Sequence, residues 1–111
     1  MGQVTWNDFE KIEMRVGTIL EVHDFPEARN PSYQLIIDFG DLGIKKTSAQ
    51  ITQLYRKEQL QGKQVVAVVN FPPKQIANIM SECLVLGAVG ENKAVTLLEP
   101  GLPVPNGLRI A

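Results

Sequence analysis

Covalent or metal chemistry in this chain would rest on one histidine, His23, and one cysteine, Cys83. Neither has a second His or Cys at metal-ligand spacing, so the pattern predicts no metal site. Pairing Cys83 with His23 as nucleophile and base lacks the surrounding motif of a nucleophilic enzyme. Gly40 with Gly43, and Gly87 with Gly90, do not lead into the helix and lysine of a phosphate-binding loop. Asp38 and Asp41 fall in turn-forming sequence, where carboxylates stabilise turns. The expectation is therefore no catalysis and no cofactor. His23 reads as a surface residue beside Asp24, and Cys83 as a small core residue. What remains is contact chemistry: Lys45 and Lys46 are adjacent, Arg56 and Lys57 follow, and Asn70-Phe71-Pro72-Pro73-Lys74 combines an amide, a flat apolar face and a charge. Such a set suits stacking on, and backbone contact with, a macromolecule.

The stretch that must position this set runs from Gln64 to Leu86. It opens with the strand-forming run Val65 to Val69 and closes with Leu84-Val85-Leu86. Asn70 to Met80 is longer than a hairpin connection needs, and Pro72 and Pro73 fix two φ angles while supplying no N–H. The first strand should end abruptly there, holding Asn70 and Phe71 at its tip. Ile76, Ile79 and Met80 supply apolar weight to the connector.

Before that stretch, Thr5 to Lys11 reads as a short capped helix carrying Trp6 and Phe9. Met14 to Val22 reads as a strand in which Gly17 marks a bulge or bend. Tyr33–Phe39 and Ile44–Ala49, joined by the glycine-containing Gly40–Gly43 turn, predict an antiparallel hairpin. Ile51 to Leu60 shows helical spacing and ends near Gly62. After Leu86, Gly87 to Asn92 reads as a turn and Lys93 to Leu98 as the last main strand. The tail from Pro100 to Gly107 is too rich in proline for a strand interior. Five or six strands with no long crossover helices predict an all-β fold, a small five-stranded antiparallel barrel of the oligonucleotide/oligosaccharide-binding (OB) type with short helices.

Composition sets the limits. The 111 residues suffice for one domain and one core. Hydrophobic residues make up 44% and charged residues 21%, ordinary globular values that predict neither disorder nor a membrane span. The N-terminal residues lack the pattern of a secretory signal, and a cytoplasmic location is expected. Eleven basic and twelve acidic residues give a net charge of −1, so any nucleic-acid binding must come from a local patch. Two readings stand for these charges: a patch uniting Lys45 or Lys46 with Asn70, Phe71 and Lys74, or an ordinary solvated charged face.

Several segments together resemble the tRNA-binding domain family, and within it the small CsaA type. They are Phe9-x-Lys11-Ile12-x-Met14-Arg15-Val16-Gly17-Thr18-Ile19, Phe25-Pro26-Glu27-Ala28, Ser48-Ala49-Gln50-Ile51, Val68-Val69-Asn70-Phe71-Pro72-Pro73, Ser81-Glu82-Cys83-Leu84-Val85-Leu86-Gly87 and Pro103-Val104-Pro105-Asn106-Gly107. The resemblance implies an OB-fold barrel over about residues 14–98. It implies a homodimer whose interface draws on the terminal segments 1–13 and 99–111. The partners it implies are tRNA and, for the CsaA type, unfolded or exported polypeptides in a secretion-related chaperone role. Carried over by position, Ser48, Asn70 and Ser81 match the nucleic-acid side, with Lys45, Lys46 and Lys74 as the basic patch. Phe71, Ile76, Ile79 and Met80 would form the polypeptide groove. Ser48-Ala49 replaces a frequent Ser-Gly and Ala77-Asn78 a frequent Arg-Gly pair, and the missing guanidinium forfeits a bidentate phosphate contact. The alternative is a polypeptide-binding module whose nucleic-acid affinity is vestigial.

Overall fold

A computed structural model describes residues 1–111. Four main strands follow the β-branched runs: β1 Met14–Asp24, β2 Tyr33–Asp38, β3 Ile44–Ala49 and β4 Gln64–Val68. A helix of five residues, α1 Trp6–Glu10, precedes them, and α2 Lys57–Leu60 lies between β3 and β4. Short strands complete the chain: β5 Lys74–Ile76, β6 Ile79–Ser81, β7 Leu84–Val85, β8 Gly87–Val89 and β9 Val95–Leu97. The five-stranded antiparallel sheet has the order β3-β2-β1-β4-β7 and curls into a nearly closed barrel, as expected for the class. No helix is long and apolar enough to cross a membrane.

The core follows from strand alternation. Ile19, Leu35, Ile37, Phe39, Val65 and Ala67 point inward with Leu60 of α2 plugging one end. Val66 and Val68, on the opposite face of β4, are buried as well, together with Val16 of β1. An uninterrupted apolar run is the signature of a strand covered on both faces. The C-terminal tail is fastened beside these strands. Gly107 and Leu108 bond to both backbone groups of Val16, and the Ile110 N–H reaches the Met14 carbonyl. Asn106 accepts from Thr18 Oγ1 at 2.7 Å and from Gln64 Nε2 at 3.1 Å, fastening the tail to β1 and β4. Gly107 has φ +90°, and a Cβ there would stand 2.6 Å from the Phe39 carbonyl oxygen. The glycine of the Pro-Asn-Gly turn is thus required by its fit.

Three expectations need correction. The irregularity in β1 lies between Ile19 and Glu21, at Leu20, and not at Gly17. That shift lets Ile19 and Val22, three residues apart, pair opposite the inward Ile37 and Leu35. Gly17 instead makes room: an added Cβ would lie 2.6 Å from Ile37 Cγ2 and 2.7 Å from the Phe39 ring. Ile51 to Leu60 is helical only at its last four residues, because Ile51 is drawn into the core and Tyr55 is held by hydrogen bonds to its carbonyl and hydroxyl. Finally, Gly87 to Val89 is not turn but strand, paired with β9.

Barrel closure, where β3 approaches the β6–β7 link, is made mostly by side chains. The backbone contributes the Glu82 N–H to the Lys46 carbonyl. The Glu82 carboxylate then accepts the Lys46 N–H at 2.8 Å. Thr47 is wholly buried, and its hydroxyl donates to the Cys83 carbonyl at 2.7 Å. Ser81 Oγ lies 2.6 Å from Thr47 Oγ1 and accepts the Ser48 N–H at 3.4 Å. Replacing Thr47 by the isosteric Val would leave the Cys83 carbonyl and the Ser81 hydroxyl without this partner. Urea unfolding of Thr47→Val should show a loss of about 1–3 kcal/mol, with Thr47→Ser losing less. A Thr47→Val protein as stable as the parent would contradict the closure described.

Candidate nucleic-acid interface

A groove of about 850 Å³ lies over the closure. One wall is the loop Ala28 to Ser32 with the end of β3, Ser48 to Ile51. The opposite wall is Phe71, Pro72, Lys74 and Ile76, and the floor runs from Ser81 to Val85 with Val95. Pairing of Tyr33 with Ala49 in the β2–β3 ladder sets the first wall, because it brings residues just before β2 beside those just after β3. The second wall is a hairpin. Asn70 to Met80, expected as a long connector between two strands, folds at Lys74 into the β5–β6 ribbon with the pairs Lys74–Ser81, Gln75–Met80 and Ile76–Ile79.

That register sorts the expected site residues. Side chains alternate across a strand, so Lys74, Ile76, Ile79 and Ser81 share one face while Gln75 and Met80 share the other. Lys74, Ile76, Ser81, Ser48 and Phe71 line the groove. Met80 is exposed on the opposite face, and Ile79 is packed down to 9% exposure. The apolar quartet Phe71, Ile76, Ile79 and Met80 therefore does not form one surface. Only Phe71 and Ile76 face the groove.

Two of the polar residues are already occupied. Asn70 donates from Nδ2 to the Lys11 carbonyl at 2.7 Å, and its Oδ1 accepts the Glu13 N–H at 3.0 Å. It clamps the segment between α1 and β1, and it does not line the groove. Ser81 borders the groove, but its hydroxyl is engaged with Thr47 and Ser48. Lys45 and Lys46 lie on β3 outside the groove lining, Lys45 half-buried and Lys46 exposed. Arg29, Asn30 and Gln50 do line it, and sequence reading had not singled them out. Drawing the β2–β3 hairpin in register would have placed them there.

Charge is distributed unevenly. Arg15, Arg56, Lys57, Lys63 and Arg109 are ion-paired, five of the eleven basic residues. Of the other six, Arg29 and Lys74 flank the groove and Lys45 and Lys46 lie on the strand leading into it. The acidic residue on this side, Glu82, has its carboxylate turned to the Lys46 N–H. No three His, Cys, Asp or Glu side chains converge as a metal cluster would require. Cys83 sits in the groove floor, and burial pushes its thiol up to about 11, so it is a neutral thiol at physiological pH. The arrangement offers hydrogen bonds, a stacking face and positive charge.

Residues 14–109 match the family described as "Putative tRNA binding domain". The solved chaperone CsaA of Bacillus anthracis str. Ames is 49% identical, with TM-score 0.95 over 99% of this chain and 100% of that one. The CsaA chaperone protein of Picrophilus torridus is 55% identical, with TM-score 0.91 over 98% of this chain and 100% of that one. Among curated proteins, the methionine–tRNA ligase of Nanoarchaeum equitans is 38% identical over 98% of this chain. The chain spans only 14% of that ligase's length. With the barrel and these matches in agreement, the chain belongs to the tRNA-binding domain family.

Proposed function

We propose that the chain is a non-catalytic binding protein of the CsaA type that engages tRNA through the groove between Arg29 and Lys74. The carrying observation is the concentration of unpaired cations on the groove side of a molecule whose net charge is −1. A polyanion is attracted locally even where the whole protein is not basic. Similarity to part of a methionine–tRNA ligase supports the same partner class.

A second reading, chaperone binding of unfolded or exported polypeptides, is supported by the exposed Phe71 and Leu84 beside Ile76 in the same groove, and by similarity to two proteins named as chaperones. A secretion-related role in the cytoplasm belongs to this reading. We propose further that the protein works as a homodimer through its terminal segments. In the single chain α1 buries no residue, Trp6 is 85% exposed, and Val4, Ile12, Leu102 and Leu108 are exposed as well.

A titration of labelled tRNA followed by fluorescence anisotropy at several salt concentrations tests the first reading. Affinity should fall steeply as salt rises, and Arg29→Glu with Lys74→Glu should weaken binding at least 10-fold and flatten the log–log slope by about 1.5–2. Salt-independent binding, or an unchanged slope in the double variant, would place the contacts elsewhere. For the dimer, sedimentation equilibrium should give twice the 12.3 kDa chain mass, and Trp6→Asp should shift it toward the monomer. A parent protein that sediments as a monomer at tens of micromolar would reject the dimer.

A further inference from the structure

We infer that the groove takes a single unstacked nucleotide, its base lying on Phe71 and its edge read by the amides of Asn30 and Gln50; this rests on the RNA reading of the groove. Phe71 is the one aromatic side chain in the lining. Phe25 and Phe39 are buried, and Tyr33 and Tyr55 have their hydroxyls tied to Tyr55 O and Leu97 N. Phe71 is 54% exposed, and the Pro72-Pro73 pair behind it restricts the backbone, so the ring is presented at low entropic cost. Base stacking on such a ring is sequence-tolerant and contributes affinity in its own right.

Amide side chains supply the selective part. Most others near the barrel are spent: Gln53, Gln61 and Gln64 donate to backbone carbonyls, Gln59 accepts the Arg56 N–H, Gln75 reaches the Ala77 carbonyl, and Asn70 and Asn106 are structural clamps. Asn30 and Gln50 both line the groove wall that the β2–β3 register sets, and neither side chain is hydrogen-bonded within the fold. An amide carries donors and an acceptor together, the complement of a nucleobase edge. Arg29 and Lys74 stand at the same walls for the flanking phosphates, and the Ser48 hydroxyl is available beside them. A cavity of about 850 Å³ is in the range of a small-ligand site, which a paired and stacked base cannot enter.

The test is anisotropy at fixed low salt with labelled A12, C12 and U12 RNA and a blunt 12-base-pair RNA duplex. Single strands should bind at least 10-fold more tightly than the duplex, with unequal affinities among the three. Phe71→Ala should lower single-strand affinity about 10-fold. Asn30→Ala with Gln50→Ala should bring the three homopolymers to within about twofold while keeping the salt slope, whereas Lys74→Glu should weaken all of them together. All four residues are exposed or line the groove, and circular dichroism of each variant checks its fold. Equal duplex and single-strand binding, or a salt-dependent affinity indifferent to Phe71 and to both amides, would overturn the nucleotide pocket and leave an RNA interface that contacts phosphates only. Failure of every RNA to bind at low salt would overturn the RNA reading itself. Binding of a labelled apolar decapeptide that is lost in Phe71→Ala, with no RNA binding, would assign the groove to polypeptide.

Discussion

Both walls of the groove depend on one buried hydroxyl. Thr47 donates to the Cys83 carbonyl and is met by the Ser81 hydroxyl, which in turn receives the Ser48 N–H. The chain of bonds runs from the backbone of β3 to the backbone between β6 and β7, where the regular ladder contributes little. A buried hydroxyl is costly unless satisfied, and satisfied it holds two strands in one register. Both groove walls hang from this seam: Ser48 to Ile51 continue from one side of it and the β5–β6 ribbon from the other.

The opposite side of the barrel is built on a different principle. β4 is apolar and buried on both faces, and the C-terminal tail pairs with β1 along the edge that β2 leaves free. Phe39 connects the two layers. Its ring fills the space over Gly17 inside the barrel, while its carbonyl is closely approached by Gly107 of the tail. Asn70 adds the N-terminal segment to the same assembly. A residue whose amide suits a ligand is here committed to the fold, at the tip of the strand whose next residue, Phe71, is free for contact.

The main strands were legible because β1 to β4 are carried by β-branched and aliphatic runs bounded by glycine and proline. The β5–β6 hairpin was not. Its strands are three residues each, its turn is Ala77-Asn78, and Ala77 takes φ +49°, a conformation the residue type does not advertise. What supports the ribbon is its long-range contact with β3, which no local pattern reveals. The spacing of Ile51, Leu54 and Tyr55 imitates a helix for a similar reason: Ile51 answers to core packing and Tyr55 to hydrogen bonds with Tyr33 and Leu97, while Leu54 is exposed. Of the groove lining, Phe71 and Lys74 could be found from residue type, and Ser48 from the family resemblance. Asn70 and Ser81 could not be sorted by type, because only the fold decides whether a polar head is already used. Arg29, Asn30 and Gln50 sit in loops that sequence leaves unplaced until strand register brings them together.

The groove is the proposed place where RNA meets the protein, and amide hydrogen exchange tests that directly. Exchange measured with and without saturating tRNA should slow at residues 28–32, 48–51 and 71–82, with the tail at 103–110 unchanged. Protection confined to the terminal segments or to the α2 end of the barrel, with the groove amides unaffected, would contradict it.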